Sequence, residues 1–93
     1  MKSINLKNIP NCLRKYRKAR GLTQKDVARI LNLKSTGLVS RWEKGICLPS
    51  ALNIFKLAAL YRTMAEALFY NLAGAWKEKI LKREQEVLKE KHG

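Results

Sequence analysis

Apolar side chains recur along the chain in short helical patterns, and polar or glycine positions separate one pattern from the next. The clearest pattern begins after Thr23, which has the character of a helix N-cap, with Asp26 in the first turn. Asn32 is suited to the left-handed turn that stops a helix. The pattern predicts a helix between Thr23 and Asn32 whose buried side carries Val27, Ala28, Ile30 and Leu31.

A second short helix is predicted after a polar turn, beginning at Ser35 or Thr36 and ending at Gly45. Its apolar side carries Val39 and Trp42, which we expect to be buried. Two helices this short would be unstable in isolation. The rest of the chain is therefore expected to form their scaffold.

The flanking segments carry helix signals of their own. Pro10 near a first turn and Gly21 as a stop delimit a helix with a strongly basic surface. After a loop, Pro49 and Ser50 announce a fourth helix with Ser50 as its cap. The buried side of that helix is predicted to carry Ile54, Phe55, Leu57, Ala58 and Tyr61.

A fifth helix is predicted to begin at a capping box, Thr63 to Glu66, and to continue to about Glu90. Leu68 and Phe69 are expected to lie in the core, which puts the domain boundary near Tyr70. Beyond it one side stays apolar, with Leu72, Trp76, Ile80, Val87 and Leu88. A small body cannot cover this stripe, so we expect contact with a second copy or another protein. The alternative is a helix that folds back on its own domain or frays.

The predicted fold class is all-α, with residues 1–69 as one domain and residues 70–93 as a C-terminal helical extension. A chain of 93 residues with 46% hydrophobic content can bury one modest core. The N-terminal arm carries Lys2 and Lys7, which either belong to a frayed terminus or touch a phosphate backbone.

The charge is strongly positive, at +13 with a sequence pI of about 10.2. Such a balance favours a polyanionic partner, with nucleic acid first and an anionic membrane surface second. Five Lys or Arg residues between Arg14 and Arg20, with no acid among them, would repel one another unless an anion lay opposite. The last helix has mixed charges on its polar face, which argues against a membrane-surface role.

Several other classes of protein are disfavoured. No apolar run reaches the length of a membrane span, and the first residues lack the apolar core of a signal peptide, so we expect a cytoplasmic protein. Cys12 and Cys47 fit no metal or redox motif. The single histidine, His92, has no catalytic partners nearby in sequence. We therefore expect no enzymatic activity, no cofactor and no metal.

Four motifs together resemble the helix-turn-helix family of phage repressors and Cro proteins, also called the XRE family. They are the Leu22-Thr23-Gln24 opening, the Val27-Ala28 pair, the run Ser40 to Gly45, and Pro49-Ser50 before a core helix. The resemblance covers roughly Leu13 to Phe69. It implies a compact five-helix, repressor-like domain that binds operator DNA as a dimer, with its third helix in the major groove.

The resemblance also implies roles for individual residues. Base edges would be read by Thr36, Gly37, Ser40 and Arg41. Phosphates would be bound by Thr23, Gln24, Lys34, Ser35 and Lys44. An ion pair would join Arg17 of helix 1 to Glu43 at the end of helix 3. The turn from Asn32 to Ser35 is one residue longer than the family's usual pattern. The resemblance therefore fixes the first residue of helix 3 only to within one position. Arg62 stands where a small turn residue is common, which predicts a reshaped connection to the fifth helix.

The sequence thus predicts a transcriptional regulator, of phage or mobile-element repressor type, that binds double-stranded DNA at a palindromic operator as a homodimer. Arg41 is the sharpest candidate reader, because its guanidinium can donate two hydrogen bonds to one guanine. Gly37 has no side chain, which favours some reading of DNA shape. The alternative prediction is an antitoxin-type module whose C-terminal helix binds a partner protein through Leu72, Trp76, Ile80 and Val87.

Overall fold

A computed structural model describes residues 8–93, which form six helices and no strand. The helices are α1 (Leu13–Ala19), α2 (Gln24–Ile30), α3 (Gly37–Glu43), α4 (Ala51–Tyr61), α5 (Ala65–Leu68) and α6 (Tyr70–His92). This confirms the predicted all-α, helix-turn-helix fold class. Lys2 and Lys7 of the predicted arm lie outside the described residues.

One core joins the first five helices. α2 packs on α3, α1 packs on α3, and α4 packs on α5. The most deeply buried side chains come from every layer of this body, namely Leu13, Val27, Val39, Leu57 and Leu68. Leu68 and Phe69 are buried, as predicted. The core therefore fixes α2 and α3 against α1 and leaves their outer sides free.

Two residues predicted to be buried are exposed. Ile30 and Phe55 have 55% and 66% of their surface accessible, so both predictions are wrong. Because an α-helix turns about 100° per residue, each of these side chains points roughly 100° away from the centre of the buried side of its helix. Seven- and eleven-residue helices in a small body are covered on a narrow side only. The apolar patterns were wider than the surface their neighbours can cover.

The predicted fifth helix is in fact two helices. Arg62 takes the left-handed conformation, with φ 54°, and the Thr63 N–H donates to the Ala58 carbonyl at 3.0 Å, which closes the end of α4. The predicted capping box at Thr63 does not form, because Met64 is the N-cap of α5 and gives no side-chain cap. The backbone turns again at Phe69, and α6 starts at Tyr70.

α6 extends from the body with no buried residue along its 23 positions. Leu72 packs partly against the core, and the later residues of the helix are exposed except for Ala73 and Lys79, which are half-buried. The molecule consequently measures 55 × 24 × 22 Å. Within residues 8–93 no helix combines the length and apolar character that crossing a bilayer requires.

Candidate nucleic-acid interface

The N-terminus of α2 is closed by a reciprocal cap. The Asp26 N–H donates to Thr23 Oγ1 at 3.0 Å, and the Thr23 N–H donates to Asp26 Oδ2 at 2.9 Å. The hydrogen bond from the Thr23 backbone lowers the pKa of Asp26, with help from the Thr23 hydroxyl. The predicted cap is therefore confirmed.

The turn between α2 and α3 fixes where α3 begins. Asn32 has φ 57°, the left-handed stop that the sequence predicts, and the Leu33 N–H returns to the Ala28 carbonyl at 2.8 Å. Thr36 is the N-cap of α3 without a side-chain cap bond, and the helix starts at Gly37. Of the two predicted starts, Thr36 is thus the boundary residue.

The two sides of α3 differ sharply. Val39 and Trp42 are only 1% and 3% exposed and face the core, as predicted. Gly37 and Arg41 are exposed on the outer side, together with Lys44 just after the helix. Thr36 and Ser40 are half-buried, so their hydroxyls lie at the margin of that surface. The four residues suggested as base readers therefore share one helix and its N-cap.

A buried polar network holds the end of α3 to α1 and α2. Arg17 Nε donates to Glu43 Oε2 at 2.6 Å and Arg17 Nη2 donates to Glu43 Oε1 at 3.1 Å. The two side chains are 10% and 4% exposed. Arg17 Nη1 also donates to the Leu22 carbonyl at 2.8 Å, directly before α2. The hydrogen bond to Glu43 raises the pKa of Arg17, and burial partly opposes it.

Gln24 joins this network and is not directed freely toward solvent. Its Nε2 donates to Glu43 Oε1 at 3.0 Å, so Glu43 accepts bonds from both α1 and α2. The amide has a second N–H, which remains for an anion outside. The Lys34 and Ser35 side chains, in the turn before α3, are exposed.

Sequence reasoning missed Asn11, whose side chain ties the first described segment to the end of α3. Asn11 Nδ2 donates to the Trp42 carbonyl at 3.1 Å and to the Ile9 carbonyl at 3.0 Å. Asn11 Oδ1 accepts the Leu13 N–H at 3.1 Å. The available signal was Pro-Asn directly before a helix, where an asparagine can bond to the backbone two residues on.

The surface around α1, α2 and α3 is almost purely cationic. Within residues 8–45 the acids are Asp26 and Glu43, and the first is used in a cap while the second is paired with Arg17. The exposed cations of the same segment are Arg14, Lys15, Lys18, Arg20, Lys25, Arg29, Lys34, Arg41 and Lys44. Their positive potential attracts a polyanion such as a phosphate backbone.

The described residues hold no cluster of three or more His, Cys, Asp or Glu that could bind a metal ion. Cys12 and Cys47 are half-buried thiols with no disulfide between them. On α6, Leu72 is half-buried, whereas Trp76, Ile80 and Val87 are exposed. Of the suggested contact residues of α6, Leu72 therefore packs against the core, and Trp76, Ile80 and Val87 do not fold back onto the domain.

A family model described as helix-turn-helix matches residues 13–68, which include the core helices and the whole of α3. Comparisons with curated proteins and with solved structures found no match. The family consists of DNA-binding regulators and gives no support to the antitoxin alternative. The chain belongs to the XRE-type helix-turn-helix family of DNA-binding proteins.

Proposed function

We propose that this protein is a sequence-specific transcriptional repressor that binds a palindromic operator as a homodimer, with α3 in the major groove. One observation carries the proposal: α3 buries Val39 and Trp42 while Arg41 and Gly37 face outward from a cationic surface. A helix fits the major groove, where each base pair presents a distinct set of donors and acceptors.

Direct reading falls mainly to Arg41. Its exposed guanidinium can donate to O6 and N7 of one guanine, which is worth roughly 1–3 kcal/mol of discrimination. Thr36 and Ser40 offer hydroxyls beside it, and Gly37 allows the helix to approach the bases closely. The small side chains at the start of α3 leave part of the specificity to the shape of the DNA.

Phosphates on either side of the groove are bound by the edges of the same unit. Thr23 and Gln24 lie at the N-terminal end of α2, where free backbone N–H groups favour an anion. Lys34 and Ser35 precede α3, and Lys44 follows it. Phosphate contacts at both ends of α3 would fix its register in the groove while leaving the base edges to Arg41.

A homodimer would present two copies of α3 to one face of the duplex, about 34 Å apart, and so select a palindrome. The contact is made through the exposed side of α6, with Trp76, Ile80 and Val87 and the half-buried Leu72. Repression follows because a protein bound at a promoter excludes other proteins from that DNA.

The test is selection of bound sites from a random pool of duplexes, with wild type, Arg41→Ala and Lys44→Ala in parallel. Wild type should enrich a two-fold symmetric sequence. Arg41→Ala should relax one position in each half-site. Lys44→Ala should weaken all sequences alike and lower the slope of log affinity against log salt by about one.

Lys82→Ala, a substitution of an exposed lysine on α6, serves as the control and should leave both selection and salt slope unchanged. Equal binding of wild type to every duplex in the pool would refute the proposal.

A further inference from the structure

The exposed side of α6 has a seven-residue repeat. Ala73, Ile80 and Val87 occupy the first position of each heptad, and Trp76 occupies the fourth. Trp76 and Ile80 are 41% and 57% exposed, although both are large and apolar. A helix with this repeat forms a seam that another helix can cover.

We propose that this seam is covered by α6 of a second copy running antiparallel, with Trp76 against Val87 of the second copy. The inference rests on the proposed homodimer and specifies its geometry. The charges that flank the seam support pairing with a second copy, and the charges within the seam decide the orientation.

The charges within the seam exclude a parallel pair. The fourth heptad positions after Trp76 are Arg83 and Glu90. A parallel, in-register pair would place each of them against its own counterpart, so that like charges would face each other in the contact. An antiparallel pair instead places Ile80 against the aliphatic part of Arg83 of the second copy, and keeps the two Arg83 heads apart.

The charges that flank the seam are complementary between two copies of α6. Lys77 and Glu84 lie on one flank, and Lys79 and Glu86 lie on the other. In the antiparallel register Lys77 approaches Glu84 of the second copy, and Lys79 approaches Glu86. Two-fold symmetry doubles each contact, which gives four opposite-charge pairs around the apolar seam.

The shape of the surface near the body accommodates the end of the second helix. A groove of about 720 Å³ lies beside α5 and is lined by residues that include Glu66, Tyr70, Ala73, Trp76, Lys77 and Ile80. In the antiparallel register the C-terminal turns of the second α6 enter this groove. Lys91 of the second copy then comes to the end that carries Glu66 and Tyr70.

The same register sets the distance between the two DNA-binding bodies. Tyr70 begins α6 and lies level with residue 93 of the second copy, so 23 residues separate the two bodies along the pair. At about 1.5 Å per residue this distance is about 34 Å. Two half-sites one turn of duplex apart require the same spacing. α6 therefore acts as a spacer as well as a contact.

Exchanging the charges at positions 79 and 86 distinguishes an antiparallel pair from a parallel one. Lys79→Glu should raise the dimer dissociation constant in sedimentation velocity by about tenfold, because two attractive contacts become repulsive. Adding Glu86→Lys should return it to within about threefold of wild type if the pair is antiparallel. In a parallel pair the double variant would be weaker than either single variant, since residue 79 would face Glu84 and residue 86 would face Lys91. Lys82→Glu, on the opposite side of α6, is the control and should change nothing.

Cysteine cross-linking tests the orientation of the α6 pair independently. In a Cys12→Ser/Cys47→Ser background, Lys77→Cys/Glu84→Cys should form a covalent dimer on mild oxidation, and Ala73→Cys should not. Cross-linking through Ala73→Cys alone, or a monomer at every concentration, overturns the inference. A dimer with this geometry that prefers no DNA sequence would instead overturn the proposed function and leave the pairing intact.

Discussion

Tyr61 carries a polar group that the fold does not satisfy. The residue is 3% exposed at the end of α4, and its hydroxyl has no hydrogen-bond partner among residues 8–93. Burial raises the pKa of Tyr61 to about 12; the nearby Glu43 carboxylate adds to the rise and Arg17 opposes it. A buried donor without an acceptor costs about 1–3 kcal/mol, so the ring is retained for its packing and the hydroxyl reduces stability.

Tyr61→Phe should therefore leave the free energy of unfolding unchanged or raise it by about 1 kcal/mol at pH 7. The folded pKa lies above the unfolded value near 10, so wild type holds its full stability below pH 10 and loses part of it as pH rises toward 12. The variant should lose less over that interval. Urea unfolding at pH 7 and pH 11 measures both effects, with the exposed Tyr70→Phe as control. A loss above 1 kcal/mol at pH 7 would show that the hydroxyl has a partner.

Residues with strong local preferences were predictable, and residues whose role depends on a distant neighbour were not. Asn32 and Thr23 act within their own turns, so sequence alone located both. Asn11 contacts the carbonyl of Trp42, 31 residues away, and no local pattern indicates that contact. Phe55 fits the apolar side of α4 by spacing, but its exposure depends on which helices lie opposite.

At the scale of elements, α3 depends on its attachments because it has only seven residues. Glu43 accepts from Arg17 and Gln24, and its side chain is 4% exposed. Such a buried ion pair need not add net stability, yet losing one member leaves the other charge uncompensated. We therefore interpret the pair as fixing the orientation of α3.

Glu43→Gln should lower the free energy of unfolding by about 2–3 kcal/mol, because the Arg17 charge stays buried beside a neutral amide. DNA affinity should fall about tenfold at a temperature where the variant is folded, since a misplaced α3 weakens the Arg41 contact. Chemical denaturation and binding isotherms measure the two effects. Glu78→Gln, on α6 and away from the proposed seam, should change neither. If Glu43→Gln leaves both affinity and melting unchanged, the pair has no role in orientation.

The loop after α3 requires a glycine at position 45. Its φ is +76°, and a Cβ there would lie 2.5 Å from the Ile9 carbonyl oxygen and 2.7 Å from the Ile9 nitrogen. Ile9 donates its N–H to the Gly45 carbonyl at 2.9 Å, so the two backbones cannot separate without losing that bond. The segment before α1 thus packs directly on the end of α3.

Gly45→Ala should cost about 3 kcal/mol or more, because backbone strain adds to a clash with backbone atoms. Gly21→Ala is the matched control: the φ of Gly21 is +69°, but in the described part of the chain no atom outside its immediate neighbours lies within 4 Å of the added Cβ. The control should cost only about 1–2 kcal/mol, the price of the left-handed conformation itself. Thermal unfolding of the two variants measures the difference. Equal losses would mean that the chain before α1 yields easily.

Element boundaries were predictable where one residue decides them and not where two signals compete. The Thr63–Glu66 pattern has the form of a capping box, but Arg62 already closes α4 in the left-handed conformation. The chain then continues from Met64, and the turn at Phe69 separates α5 from α6. Packing of Leu68 and Phe69 into the core imposes that second turn, and a local pattern does not express it.

At the scale of the molecule, the two parts of the chain differ in charge and in exposed apolar surface. The unpaired cations concentrate around α1, α2 and α3, whereas α6 mixes both signs along an exposed apolar side. A cationic body attracts DNA of any sequence, and only the pairing of two bodies would demand a symmetric site. Affinity and symmetry selection should therefore be separable by mutation.

Ile80→Glu should separate the affinity for DNA from the selection of a symmetric site. A carboxylate at the centre of the apolar seam should raise the dimer dissociation constant about tenfold, because it removes an apolar side chain from each copy and desolvates two charges, which Arg83 of the second copy offsets only in part. Binding to a single half-site should be unchanged, because α3 and the Arg17–Glu43 pair are remote from α6. The affinity for the palindrome should fall to the affinity for a single half-site, because the variant no longer binds as a dimer. Phe55→Glu, which charges an exposed aromatic on α4, should keep the wild-type preference for the palindrome over the half-site. If Ile80→Glu keeps that preference and Phe55→Glu loses it, the dimer forms through the body and not through α6.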